Sequence, residues 1–73
     1  MLPDKLAYMA NQIGKFFSHQ PHDKAVLSIT EHLVKFWDPR MRGTILTHFD
    51  EVRGGLDPLV RQAVEKLRDS RVS

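Results

Sequence analysis

The stretch FWDPRMRG, residues 36–43, marks the clearest boundary between secondary-structure elements in the chain. Asp38 can accept a hydrogen bond from a backbone N–H of a following helix, and Pro39 has the fixed φ and the missing N–H that suit a first helical position. The same pair recurs as Asp57-Pro58. The sequence therefore predicts that two helices begin at these prolines.

Outward from this boundary, apolar residues recur at helical spacing in four segments, and no segment shows the alternation that is typical of a strand. Pro21 disfavours helical geometry before it, and Asp23 is predicted to cap the helix that follows. The predicted helices cover about residues 4–18, 23–37, 39–52 and 58–68. Residues 69–73 are expected to form a frayed tail. We therefore expect a single domain over residues 1–73, an all-α fold that forms a small bundle of three to four short helices.

The second predicted helix carries more apolar surface than one neighbouring helix can cover. Its apolar side chains spread over roughly 200° of the helix circumference, compared with about 100° for an ordinary core-facing stripe. They are Ala25, Val26, Leu27, Ile29, Leu33, Val34, Phe36 and Trp37. This helix is predicted to be the central one, and we expect another protein to cover part of its apolar surface.

Composition excludes several classes of protein. The chain has 73 residues and no cysteine, so it can hold one domain but no disulfide, thiolate metal site or iron–sulfur ligation. Eleven Lys and Arg oppose nine Asp and Glu, with the two signs interspersed, so a nucleic-acid partner is not expected. No segment approaches the roughly 18 apolar residues of a membrane span, and no signal peptide is evident. A soluble cytoplasmic protein without a membrane partner is expected.

Candidate catalytic and metal-binding residues are few. His19 and His22 flank a proline and have no evident third ligand, so they are interpreted as loop residues and not as a metal site. Asp38 and Asp57 are each explained by a helix start and not by a catalytic pair. Gly54-Gly55 follows a helix, which favours a left-handed C-cap over a phosphate-binding loop. We predict no catalytic, cofactor-binding or metal-binding residue in this chain.

Arg42 lies in an unexpected position on the third predicted helix. It falls about 100° from Met41 on the helix circumference, within the apolar arc. Two interpretations remain open: its aliphatic stem covers apolar surface at the helix start, or it lies at the rim of a protein interface, where arginine and aromatic residues are enriched. The residues that we predict to contact a partner are Trp37, Arg40 and Arg42, followed by Phe16, Phe17 and Tyr8.

Three runs of sequence resemble the delta subunit of the cytoplasmic, NAD-dependent, molybdenum-containing formate dehydrogenases. They are KLAYMANQIGKFF at residues 5–17, HLVKFWDPRMRG at residues 32–43 and GLDPLV at residues 55–60. The resemblance extends from Lys5 to about Leu67, in the order and spacing of the family. The chain departs from the pattern of the family at HFDEVRGGLD, residues 48–57. In members of the family that it resembles, this connection is looser and richer in glycine and alanine.

The resemblance implies an accessory subunit of a complex that oxidises formate to carbon dioxide and passes the electrons to NAD. It implies that the molybdenum pterin cofactor, the iron–sulfur clusters and the FMN belong to larger subunits, with none bound by this chain. The implied partners are the large catalytic (alpha) subunit and the other subunits, and the implied role is assembly, stability or cofactor insertion. The alternative is a free-standing helical adaptor or regulator that is homodimeric or binds nucleic acid weakly.

Overall fold

The computed structural model describes residues 2–72, with side chains described for residues 2–70. The five α-helices and one 3₁₀ turn of this range are α1 (Pro3–Phe17), α2 (His22–Phe36), α3 (Pro39–Thr47), α4 (Phe49–Val52), the turn Arg53–Gly55, and α5 (Pro58–Val72). The predicted all-α class is confirmed, since no strand occurs among the described residues. The predicted number of three to four helices is too low, because the third predicted helix is divided.

The first two helices lie within one residue of their predicted bounds. The predicted cap at Asp23 is wrong, because α2 begins one residue earlier, at His22, after Pro21 in an extended conformation with no side-chain cap. Asp23 lies instead in the first turn, where its negative charge is favourable near the positive end of the helix dipole.

The division between α3 and α4 occurs at His48, whose φ of −102° and ψ of 19° depart from α-helical values. The backbone N–H groups of Glu51 and Val52 both donate to the His48 carbonyl, at 3.0 and 3.1 Å, which starts the next helix. The Glu51 carboxylate also lies 3.0 Å from His48 Nδ1. The chain therefore changes direction at a residue with a local hydrogen-bonding role and without glycine or proline.

After α4, the turn Arg53–Gly55 is held by a side chain of α1. Asn11 donates from Nδ2 to the Gly55 carbonyl at 2.9 Å, and its Oδ1 accepts from the Asp57 backbone N–H at 2.9 Å. No described glycine has a positive φ, so the predicted left-handed C-cap at Gly54-Gly55 is wrong. A 3₁₀ turn fixed from outside replaces it.

The last helix starts at Pro58 as predicted and continues beyond the predicted end at Arg68. The part of the predicted frayed tail that the structure describes as backbone, residues 69–72, is helical, and Ser73 lies outside the described residues. Leu67 is 3% exposed and holds this part of α5 against the core, and residues 68–72 contain no glycine or proline that would end the helix.

The core lies between α2 and α5, with α1 packed across both and α3 and α4 closing the end. Its buried side chains are Leu6, Ala7, Ala10, Val26, Ile29, Leu33, Trp37, Ile45, Phe49, Val52, Leu56, Val60, Ala63, Val64 and Leu67. At Gly14, α1 approaches α5 so closely that an added Cβ would overlap the Cγ2 methyl of Val60. None of the described helices combines the length and apolar character needed to cross a membrane.

Candidate partner-binding surface

Four ring-bearing side chains from α1 and α2 form a continuous row, which we call the aromatic surface: Phe16, Phe17, His32 and Phe36. The centroids of Phe16 and Phe17 lie 5.0 Å apart at an interplanar angle of 88°. Those of Phe17 and His32 lie 6.1 Å apart, and those of His32 and Phe36 lie 4.7 Å apart. These separations are within the range of favourable ring contacts, so the row is one connected surface.

The two ends of this row are open to solvent. Phe16 is 73% exposed and Phe36 is 72% exposed, while Phe17 and His32 are half-buried. Two shallow depressions lie along the row and share the two middle rings, one extending towards Ile13 and the other towards Ser28, Glu31 and Lys35. Large apolar side chains that are grouped and exposed, and not scattered singly, are typical of a surface that binds another molecule.

Helical spacing explains how α1 and α2 present these rings. On α1, Ile13 and Phe17 are four residues apart and both pack against the core edge, whereas Phe16 lies about 100° away on the circumference. On α2, His32 and Phe36 are also four residues apart and flank the buried Leu33. The aromatic surface is therefore the outer edge of the α1–α2 contact.

Trp37 does not belong to this surface, although we predicted it to contact a partner. It is 5% exposed and lies in the core. This burial has a backbone cause, since Trp37 follows α2 in an extended conformation with φ of −85° and ψ of 137°. Because of this change in backbone conformation, the Trp37 side chain enters the core, whereas the side chain of Phe36, the last residue of α2, stays exposed.

Arg42 is half-buried and has a role that neither interpretation included. Its Nη1 donates to the carbonyls of Leu33 at 3.4 Å and Val34 at 3.0 Å, and also to the carbonyl of Trp37. The Leu33 and Val34 carbonyls lie in the last turn of α2, and the Trp37 carbonyl follows directly after it. The Leu33 carbonyl already accepts the Trp37 backbone N–H at 3.2 Å, so Arg42 adds a charged donor at the helix end where the dipole favours a cation. Arg42 therefore caps α2 from the first turn of α3.

Arg40 and Tyr8 are exposed, as expected of contact residues, but neither lines the aromatic surface. Arg40 borders a depression formed by the α3 start, beside Asp38 and Thr44. Tyr8 is 64% exposed and borders a separate depression beside Asn11. Of the six predicted contact residues, the structure brings together only Phe16 and Phe17.

Sequence reasoning missed Phe36 and His32 as surface residues. It did not single out His32 as a contact residue, and it counted Phe36 with the apolar residues of the second helix. Their spacing of four residues, next to the buried Leu33, was the available signal. The prediction that part of the second helix stays exposed is confirmed, since Val34 is 50% and Leu27 is 49% exposed in addition to Phe36.

The histidines of the described residues make separate contacts and do not gather into a metal site. His19 donates from Nδ1 to the Phe16 carbonyl at 3.1 Å, and His22 Nε2 lies 2.9 Å from Gln62 Oε1. In the described range, no group of three or more His, Asp or Glu side chains is placed to bind a metal ion. Without cysteine in the chain, its side chains also do not fit an iron–sulfur cluster.

The fold and this surface define the class: a small all-α protein that keeps a row of aromatic side chains at its surface. Residues 5–64 match the family model described as NADH-dependant formate dehydrogenase delta subunit FdsD. The chain belongs to this family, which confirms the resemblance noted in the sequence. Among curated proteins and solved structures, none matches the chain.

Proposed function

We propose that this protein is a non-catalytic accessory subunit of a cytoplasmic NAD-dependent formate dehydrogenase. Its membership of the delta-subunit family supports a place in that multi-subunit enzyme. In this proposal it binds the large catalytic (alpha) subunit and supports assembly, stability or cofactor insertion. The molybdenum pterin cofactor, the iron–sulfur clusters, the FMN and the NAD site then belong to the larger subunits.

The observation that carries the proposal is the exposed aromatic surface. Phe16 and Phe36 leave almost three quarters of their surface in water, at 73% and 72% exposed. Interface hot spots are enriched in aromatic residues that enter pockets on the partner. A partner that covers these rings would gain the apolar burial that the chain itself does not provide.

The proposal is tested by isolating the tagged full-length protein from its own cells. We expect formate dehydrogenase activity and the large subunit to be retained with it. The variant with Phe16→Ala and Phe36→Ala should retain at least about tenfold less of both, since a hot-spot residue contributes about 2 kcal/mol or more. The matched control carries Leu27→Ala and Val34→Ala, which remove exposed apolar side chains elsewhere on α2.

Two outcomes would contradict the proposal. The first is a protein that elutes alone or as a pair of identical chains, with all formate dehydrogenase activity in the unbound fraction. This result would favour a free-standing adaptor that uses the aromatic surface for self-association. The second is an equal loss of the large subunit in the phenylalanine variant and in the control variant, which would mean that the aromatic surface is not the specific contact.

A further inference from the structure

Two arginine side chains lie over one buried phenylalanine ring. The guanidinium carbon of Arg53 lies 5.8 Å from the centroid of the Phe49 ring, and that of Arg68 lies 5.2 Å from the same centroid. Cation–π contacts of significant strength occur roughly once per 70–80 residues. Both distances fall within the roughly 6 Å at which a guanidinium is attracted to a ring face, so two cations share one ring.

Arg53 and Arg68, which we call the arginine pair, have few acidic partners among the described residues to neutralise their positive charge. Arg68 Nε lies 3.6 Å from Asp69 Oδ1, whereas Arg53 forms no ion pair within the described part of the chain. Glu51, on the same short helix as Phe49, is directed to His48, with 3.0 Å between carboxylate and ring nitrogen. The arginine pair therefore keeps a net positive charge at the surface.

The ring beneath the arginine pair is a fixed support. Phe49 is 3% exposed and belongs to the core, while both arginines are exposed. A guanidinium that stacks on a rigid ring has fewer conformations to lose when it binds an anion, so less entropy opposes binding. Its planar set of N–H donors also matches the two oxygens of a carboxylate.

We propose that Arg53 and Arg68 bind carboxylate side chains of an acidic segment on the partner subunit. This inference rests on the proposed function, because it assumes that a protein subunit faces this part of the chain. Two cations suit one or two carboxylates, whereas proteins that bind nucleic acid commonly neutralise about six to ten phosphates.

The experiment compares capture of the large subunit by tagged full-length variants, at about 0.05 M and about 0.5 M salt. The test variant carries Arg53→Gln and Arg68→Gln. The control variant carries Lys5→Gln and Lys24→Gln, which remove the same formal charge from exposed positions on α1 and α2. Circular dichroism establishes that each variant is helical before the comparison is made.

We expect the arginine variant to capture about tenfold less large subunit at low salt, with little further loss at high salt. The control variant should stay within about twofold of the unmodified protein. A third variant with Arg53→Lys and Arg68→Lys should capture more than the glutamine variant, because it keeps both charges. If the glutamine variant does not fold, the lysine variant is compared with the unmodified protein. We then expect it to capture less at low salt, because an ammonium lacks the planar set of donors of a guanidinium, and equal capture would overturn the inference.

The inference is overturned if the arginine variant captures as much large subunit as the unmodified protein. It is also overturned if the test variant and the control variant with Lys5→Gln and Lys24→Gln weaken capture equally. The loss would then be explained by the lower net charge of the chain and not by the position of the two arginines. In both cases the unmodified protein still captures the large subunit, so the proposed function stands. If the unmodified protein captures none, the proposed function fails and this inference fails with it.

Discussion

The α2–α3 junction, which contains Trp37 and Arg42, and the aromatic surface both carry large aromatic side chains. They differ in how far the chain itself buries those rings. At the junction, Trp37 is 5% exposed and Arg42 donates to carbonyls of α2. At the aromatic surface, Phe16 and Phe36 are 73% and 72% exposed. Phe36 and Trp37 are neighbours in the sequence, yet they lie at opposite extremes of burial.

This difference separates residues that folding explains from residues that it does not. The junction buries its large ring and places its cation on backbone carbonyls at the end of α2, so its composition follows from stability alone. The aromatic surface leaves large apolar area in water, which folding alone does not favour. Substitutions at the junction should therefore lower stability, whereas substitutions at the aromatic surface should lower binding and largely preserve stability.

The largest effect is expected from Trp37→Ala at the junction. Truncating a buried aromatic side chain costs about 3 to 5 kcal/mol, out of a total stability of about 4 to 11 kcal/mol for a chain of this size. Urea unfolding followed by circular dichroism measures the loss. Trp37→Phe is the milder control, and an unchanged midpoint for the alanine variant would show that the junction does not depend on this ring.

Arg42→Ala is expected to have the next largest effect, with a loss of about 1 to 2 kcal/mol. Three carbonyls at the end of α2 lose a charged donor, and the favourable interaction with the helix dipole is removed. The control is Arg40→Ala on the same helix, which should change stability by about 0.5 kcal/mol or less because Arg40 is exposed. Equal losses in the two variants would exclude the capping role.

A smaller effect is expected from Asp38→Ala, at about 1 kcal/mol. The Asp38 carboxylate accepts a hydrogen bond from the Met41 backbone N–H at 3.0 Å, and alanine cannot replace this N-cap. Asp38→Asn should preserve most of the stability, because the amide oxygen can accept the same bond. Thermal unfolding distinguishes the two variants, and an asparagine variant as unstable as the alanine variant would contradict this explanation.

The parts of this fold that could be predicted from the sequence have local causes. The helix starts at Pro39 and Pro58 depend on adjacent residues, and periodicity together with Pro21 located α1 and α2. The break at His48 could not be predicted from periodicity. Ile45, Phe49, Val52 and Leu56 are all buried at spacings of four, three and four residues, so the apolar stripe continues unchanged while the backbone turns.

The candidate surface was harder to predict, because it depends on how helices face one another. The helical arc of the third predicted helix placed Arg42 among apolar residues, but it contained no information about the carbonyls of the preceding helix. Similarly, the wide apolar arc of α2 indicated that some large side chain would stay exposed. Choosing Phe36 over Trp37 required the extended conformation at the end of α2.

The smallest effect on stability is expected from Phe16→Ala combined with Phe36→Ala, with a net change of about 0.5 kcal/mol or less. The ring contacts that are lost, at 5.0 Å to Phe17 and 4.7 Å to His32, are worth about 1 kcal/mol. The higher helix propensity of alanine offsets much of this loss. Urea unfolding measures the change and compares it with that of Trp37→Ala. The Trp37 ring is buried, whereas the Phe16 and Phe36 rings are exposed. A loss of about 2 kcal/mol or more in the double variant would make these rings structural, and the exposed aromatic surface would then no longer require a partner to explain it.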